Sequence, residues 1–104
     1  MKMYDTEWSP DAQDDIDLLW EWIYEESRSL DVADDFVEGL INYTEKSCCY
    51  PKNGSLVAAI SNASYREIYY RDYTIVYEII DIETKVVVHE VYNQKRIHIR
   101  SYQR

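Results

Sequence analysis

Three runs rich in β-branched and aromatic residues follow one another closely in the second half of the chain. They cover residues 65–70, 73–80 and 85–92, so only two and four residues separate them. Connections this short join antiparallel neighbours, because a parallel connection needs a dozen or more residues. The runs therefore predict a three-stranded antiparallel meander, and a meander with one apolar face needs a cover.

The first half of the chain predicts that cover, a pair of amphipathic helices. Residues 3–8 alternate imperfectly and fit a short strand, and the sequence Ser9-Pro10-Asp11 is typical of a helix start. Ser27-Arg28-Ser29 predicts a turn, and Asp31 is the expected cap of a second helix that ends before Pro51. Apolar residues recur at three- and four-residue steps in the first helix, at Ala12, Ile16, Leu19, Trp20 and Ile23.

These elements define the expected fold. The short connection between the helices predicts an antiparallel helical hairpin, and 104 residues are enough for one domain. We therefore expect a single domain over residues 1–104 of the α+β class, in the order β-α-α-β-β-β, with the helical hairpin packed on a small antiparallel sheet. Residues 55–64 fit either a strand or a helical turn.

Charge is divided unevenly along the chain. Residues 1–50 contain 14 Asp/Glu and 3 Lys/Arg, whereas residues 51–104 contain 6 Asp/Glu and 8 Lys/Arg. The net charge of −9 disfavours general nucleic-acid binding, which needs clustered cations, so we expect no direct DNA binding. The acidic half is either a solvated helix surface that keeps the protein soluble or a functional surface that repels nucleic acid or attracts a basic partner.

Several other classes of protein are disfavoured by the sequence. No stretch approaches the roughly 20 apolar residues that span a bilayer, and residues 1–5 lack the apolar core of a signal peptide. We expect a cytoplasmic protein without membrane contact. Cys48 and Cys49 are adjacent, which strains a mutual disulfide and gives no metal-ligand spacing, so reduced thiols at a helix end are expected. No metal or cofactor is expected.

A set of short motifs in a fixed order carries a resemblance to a known family. The first is the SPxA opening of the first helix, and the strongest of the others is the YxIVYEI pattern at residues 73–79. With these motifs, the sequence resembles the RelE/ParE toxin superfamily over residues 4–97. The other matching residues are Asp15, Ala33, Phe36, Pro51, Gly54, Tyr65, Arg66, Val91, Lys95 and Arg96.

The resemblance implies the toxin of a bacterial type II toxin–antitoxin system. Such a toxin is held inactive by a cognate antitoxin, whose C-terminal segment is expected to wrap the toxin. The family has two main targets. ParE-like members inhibit DNA gyrase by binding and are not known to use a cofactor or catalytic residues. RelE-like members cut messenger RNA in the ribosomal decoding site.

A RelE-like reading gives the catalytic candidates. Arg66 and Arg96 would hold the scissile phosphate, and Tyr102 would transfer a proton. For either target, Arg66, Arg71, Lys95 and Arg96 are the candidates for contacts to the target or the antitoxin. The catalytic pattern is incomplete, because apolar or neutral residues stand where relatives have basic residues or a histidine, at Ile68, Thr74 and Asn93. His98 is a substitute without support from a motif.

The charge and the incomplete catalytic set favour a ParE-like toxin. A ribosomal nuclease enters a field of phosphates, which a net charge of −9 opposes. The alternatives are a RelE-like endoribonuclease and an antitoxin-binding module without toxicity. In all three cases the antitoxin is expected to dock in the groove between the helical hairpin and the sheet edge. The acidic half predicts that its docking segment carries Lys or Arg.

Overall fold

The structure has the expected order of helices and strands. A computed structural model of the protein describes residues 3–95, so Arg96, His98 and Tyr102 lie outside the described residues. Two short 3-10 turns, Pro51–Asn53 and Asp81–Glu83, lie in the connections. The main elements are β1 (Asp5–Trp8), α1 (Pro10–Ser27), α2 (Leu30–Ser47), β2 (Ser55–Leu56), β3 (Tyr65–Tyr70), β4 (Tyr73–Ile80) and β5 (Lys85–Asn93).

The start of α1 follows the expected capping pattern. The Ser9 hydroxyl accepts a hydrogen bond from the Ala12 amide at 3.1 Å, and Pro10 occupies the first helical position. The helix ends when Arg28 adopts a left-handed conformation with φ of 56°, and its amide donates to the Tyr24 carbonyl. Two residues, Arg28 and Ser29, separate the helices, which confirms the tight connection.

The cap of α2 differs from the expected one. Ser29, not Asp31, is the N-cap, and its hydroxyl accepts from the Val32 amide at 3.2 Å. Asp31 lies in the first turn, where its carboxylate still favours the positive end of the helix. The prediction was wrong because Ser29 and Asp31 both have side chains that can cap a helix, and the helix begins after the earlier of the two.

The sheet has five strands in the order β1-β5-β4-β3-β2. Strands β3, β4 and β5 form the antiparallel meander, and Ser55–Leu56 adds a short antiparallel edge strand to β3. The ambiguous segment thus contains two residues of strand. At the other edge, β1 pairs with β5 in parallel, so the sheet is mixed rather than purely antiparallel.

A β-bulge interrupts the pairing of β4 with β5. Val76 pairs with Glu90 while its neighbour Tyr77 pairs with Val88, which leaves His89 as an extra residue in β5. The bulge lets Val88 and Val91 both enter the core, although they are three positions apart and a regular strand would turn them to opposite faces. Because of the one extra residue, the positions of β5 that face outward also change by one residue after the bulge.

The core lies between the helices and one face of the sheet, here called the inner face. Alternate residues of β4 supply its centre, at Tyr73, Ile75, Tyr77 and Ile79. The apolar faces of both helices cover them, with Ala12, Leu19, Ala33, Leu40 and Thr44 almost completely buried. The opposite face, here called the outer face, carries Thr74, Val76, Glu78 and Ile80 of β4.

Candidate binding surface

Arg71 lies at the tip of the β3–β4 hairpin and is held by two aromatic rings. Its φ of 53° is left-handed, which matches the two-residue connection that the sequence predicted. The guanidinium carbon lies 5.7 Å from the centre of the Phe36 ring and 5.6 Å from that of Tyr70. These cation–π contacts restrain an exposed side chain in one orientation.

Lys95 lies at the same end of the sheet as Arg71. The Gln94 amide donates to the Asp72 carbonyl at 2.8 Å, which joins the end of β5 to the hairpin. The Lys95 ammonium lies 3.5 Å from the Asp72 carboxylate, with both side chains exposed. The structure therefore brings together two of the predicted binding residues, Arg71 and Lys95.

Arg66 lies apart from them, near the other end of β3 and on the inner face opposite Tyr77. Its guanidinium donates to three backbone carbonyls, from Nε to Ala63 at 2.9 Å and from Nη1 to Lys52 and Gly54 at 3.0 Å each. Bonds from a charged donor are stronger than neutral ones. Arg66 thus fixes the loop between α2 and β3.

Three other residues of the family motifs, Pro51, Gly54 and Tyr77, help to hold the same loop in place. The buried Tyr77 hydroxyl donates to the Pro51 carbonyl at 2.5 Å. A Cβ atom on Gly54 would collide with that hydroxyl, so only glycine fits there. Pro51, Gly54, Arg66 and Tyr77 therefore form one structural cluster, which accounts for four of the motif residues without reference to a ligand.

The outer face carries carboxylates in its central rows. Glu67 and Glu90 both pair with Val76, one on each side, and Glu78 is two residues further along β4. Glu90 is 1% exposed. Of the positions where relatives have basic residues, Thr74 is buried on this face, whereas Ile68 is in the core on the inner face.

A histidine cluster at the bulge was not foreseen from the sequence. The His89 ring nitrogen Nε2 lies 2.9 Å from the Glu78 carboxylate, and the ring stacks on Tyr65 at a centroid distance of 5.6 Å. Glu78 and Tyr65 belong to family motifs, but His89 does not. The cluster depends on the bulge, and no local signal in an uninterrupted β-rich run marks where an extra residue falls.

Lys85 is the basic residue at the rim of the outer face. Its ammonium lies 3.1 Å from the Glu7 carboxylate and 3.2 Å from that of Glu83. The hydrogen bond to Glu7 is the largest of the effects that raise the pKa of Lys85, followed by the bond to Glu83. The positive charge of Lys85 is therefore shared by two carboxylates of the same chain.

A cavity of about 370 Å³ opens where the two helices meet the β3–β4 hairpin. This cavity, here called the helix–hairpin pocket, lies between the helices and the ends of the central strands, whereas docking was expected between the helical hairpin and the sheet edge. Its walls combine aromatic and apolar side chains with an arginine, an aspartate and an asparagine. They are Trp22, Ile23, Phe36, Tyr73, Arg71, Asp72 and Asn93.

The helices around the pocket present an acidic surface. Their exposed side chains include Asp14, Asp17, Glu21, Glu25, Asp34, Asp35 and Glu38. No helix within residues 3–95 is long and apolar enough to cross a membrane. In the same part of the chain, no three His, Cys, Asp or Glu side chains are grouped as a metal site.

Fold and motifs together place the chain among toxins of the RelE/ParE type. The sequence profile of the ParE toxin of the type II toxin–antitoxin system parDE matches residues 6–98. Because this match covers most of the chain, the protein belongs to the ParE toxin family. A search of curated proteins gives no match to this chain.

Two solved toxin–antitoxin structures have the same fold. The chain is 16% identical to a chain of the RelBE2 toxin–antitoxin complex of Mycobacterium tuberculosis, covering 92% of this chain and 97% of that one, with a TM-score of 0.69. It is 11% identical to a chain of the chromosomal ParDE system of Pseudomonas aeruginosa, covering 88% and 96%, with a TM-score of 0.70. The expected fold class is confirmed, and an antitoxin is supported as a partner.

Proposed function

We propose that this toxin acts by binding DNA gyrase and that a cognate antitoxin neutralises it. The observation that carries this proposal is the chemistry of the outer face. A nuclease must stabilise a phosphate that gains negative charge in the transition state. Here Glu67, Glu78 and Glu90 occupy the central rows instead, and within residues 3–95 no lysine or arginine lies among them. A toxin that binds a protein needs no cation there.

The contacts of Arg66 also favour binding over RNA cleavage. Two of its three guanidinium nitrogens donate to backbone carbonyls of the loop between α2 and β3. A side chain engaged in this way has fewer donors left for a scissile phosphate. Arg66 also lies on the opposite face from Thr74, so the positions aligned with basic residues of nucleases do not converge on one site.

The target is tested by inducing this chain alone in a bacterium. An SOS reporter and pulse-labelled protein synthesis are followed over the first minutes. We expect an early SOS signal while translation continues, because a blocked gyrase leaves broken DNA. An early stop in translation with intact DNA would contradict the proposal and favour the endoribonuclease. Unchanged growth at high expression would instead indicate a binding module without toxicity.

A purified assay separates the target from indirect effects in the cell. Gyrase supercoiling of relaxed plasmid is measured with increasing amounts of this chain. We expect inhibition that is reversed when antitoxin is added in equal amount. Heat-unfolded chain is the matched control, since it carries the same charge without the fold. Full supercoiling at high toxin concentration would exclude gyrase as the target.

We further propose that the C-terminal segment of the antitoxin wraps the toxin and carries Lys or Arg along the helices. The acidic surface of α1 and α2 supports this, because opposite charges steer association and fix the register of a partner. The dissociation constant should rise strongly with salt, as exposed charges are screened. A dissociation constant that is the same at 50 mM and 500 mM NaCl would argue against charge-steered docking.

A further inference from the structure

The helix–hairpin pocket has the composition of a binding hot spot. Trp22 is 43% exposed at its rim, which is unusual for the largest apolar side chain in a small protein. Leu18, one turn earlier on the same stripe of α1, is 62% exposed. Trp, Tyr and Arg dominate the binding energy of protein interfaces, and Trp22, Tyr73 and Arg71 all line this pocket.

Arg71 differs from the other basic residues near the sheet. Lys52, Lys85 and Lys95 each form an ion pair with a carboxylate of this chain, and Arg66 binds backbone carbonyls. Arg71 makes no ion pair within residues 3–95, and its two described contacts are with the rings of Phe36 and Tyr70. Asp72, the acidic residue that lines the pocket, has its carboxylate 3.5 Å from the Lys95 ammonium, so it pairs with Lys95 and not with Arg71. The exposed guanidinium of Arg71 is therefore open to a carboxylate of a partner.

We infer that the helix–hairpin pocket binds a segment of the antitoxin in which a large apolar side chain enters the cavity and a neighbouring Asp or Glu pairs with Arg71. The inference rests on the antitoxin partnership and not on the choice of gyrase as target. A cavity of about 370 Å³ holds one large side chain of a partner. A planar guanidinium pairs with a carboxylate through two parallel hydrogen bonds, which also fixes the register of the segment.

The charge of the molecule selects this occupant over two others. A second copy of the chain would bring together two molecules of net charge −9, which opposes docking through these acidic helices. Nucleic acid would meet the many exposed carboxylates of α1 and α2, which outnumber the two cations near the pocket, Arg71 and Lys95. A protein segment can place Lys or Arg over the acidic helices and one carboxylate beside Arg71, so it complements the charge of both parts of the surface.

The test measures binding of the antitoxin encoded by the adjacent gene, by calorimetry with purified proteins. Trp22→Ala and Arg71→Glu remove the aromatic wall and reverse the charge. Because hot-spot residues contribute at least about 2 kcal/mol, each variant should raise the dissociation constant about 30-fold or more. Leu30→Ala and Arg28→Glu are the matched controls on exposed positions away from the pocket, and they should change it less than about threefold.

Two further measurements keep the result specific. Arg71→Lys retains the charge and loses the planar fork, so we expect weaker binding with an unchanged melting temperature. A charge-reversing scan of the antitoxin should find one Asp or Glu whose change to Lys restores binding to Arg71→Glu. Unchanged affinity in both folded pocket variants, or no antitoxin binding by the unchanged chain, would overturn the inference. Supercoiling inhibition by free toxin tests the gyrase proposal separately.

Discussion

Tyr77 shows how a single residue can belong to a family motif for structural reasons. Its side chain is fully buried on the inner face, and its hydroxyl reaches the Pro51 carbonyl across the core. Burial is the main cause that raises the pKa of Tyr77 above its ordinary value. The sequence predicted a core strand here, but not that one hydroxyl would position a loop 26 residues away along the chain.

Removing that hydroxyl should destabilise the protein without changing its charge. In Tyr77→Phe the Pro51 carbonyl stays buried and loses its donor, which costs about 1–3 kcal/mol. Urea unfolding followed by circular dichroism measures the change. Tyr50→Phe is the control, because Tyr50 is 50% exposed and water replaces its hydrogen bonds. Equal stabilities of the two variants would contradict the role given to the Tyr77 hydroxyl.

The two adjacent cysteines should react very differently. Both are free thiols, as expected from the sequence. Cys48 is fully buried, and burial is the main cause that raises its pKa to about 12. Cys49 is partly exposed at the end of α2. Because the thiolate is the reactive form, a thiol reagent at pH 8 should label one cysteine in the native protein and two in urea. Rapid native labelling of both would contradict this burial.

At the scale of elements, the sequence predicted the helices and the meander well but not how they meet. Periodicity and turn residues are local signals, and they sufficed for α1, α2 and the β3–β4 hairpin. The parallel pairing of β1 with β5 joins residues about 80 positions apart in the chain, and the bulge at His89 depends on the register between β4 and β5, so no local pattern predicts either of them. Of the candidate binding residues within residues 3–95, Arg71 and Lys95 lie at the same end of the sheet, whereas Arg66 lies near the other end.

Asp15 is the side chain that joins α1 to the bulged strand. Its carboxylate accepts a hydrogen bond from the Val91 amide at 2.9 Å. Val91 lies beyond Val88, the last residue of β5 that pairs with β1. The Ser9 hydroxyl donates to the nearby His89 carbonyl at 3.4 Å. Ser9, in the SPxA motif, and Asp15, shortly after it, thus bind backbone groups of β5 beyond the end of β1, where β5 has no strand partner on that side.

Replacing Asp15 should loosen this junction more than the helix itself. Asp15→Ala removes a charged acceptor from a partly buried amide, which costs about 1.5–3 kcal/mol. Hydrogen exchange should show faster exchange at the Val91 amide, because it loses its partner. Asp14→Ala, on the exposed side of the same helix, should change neither quantity. Unaltered protection of Val91 in Asp15→Ala would show that another group holds the strand.

At the scale of the whole molecule, folding and binding make different demands on charge. The core excludes charge almost entirely, while the excess of carboxylates lies on the helices and on the outer face. We propose that the acidic surface binds a basic antitoxin segment, with the helix–hairpin pocket as an aromatic anchor point within it. Cys48 and Tyr77, whose pKa values burial raises strongly, both lie in the core.

These two buried groups predict how the stability of the protein depends on alkaline pH. Burial raises the pKa of Cys48 from 9.0 to about 12 and raises the pKa of Tyr77 above 10.0. Below pH 9 both groups are protonated in the folded and unfolded chains, so their contribution is complete. Above it the unfolded chain releases protons that the folded chain retains, and the free energy of unfolding should fall by up to about 1.4 kcal/mol per pH unit for each group.

Denaturant unfolding from pH 8 to pH 11 measures this slope. In Cys48→Ala the decrease should begin about one pH unit later, because the remaining tyrosine ionises in the unfolded chain from about pH 10, not pH 9. Cys49→Ala is the matched control and should follow the unchanged chain, since the neighbouring thiol is the partly exposed one. Both variants keep the net charge of the helices, so general repulsion at high pH affects them equally. Identical pH profiles for all three proteins would mean that the Cys48 thiol ionises as readily in the fold as in the unfolded chain.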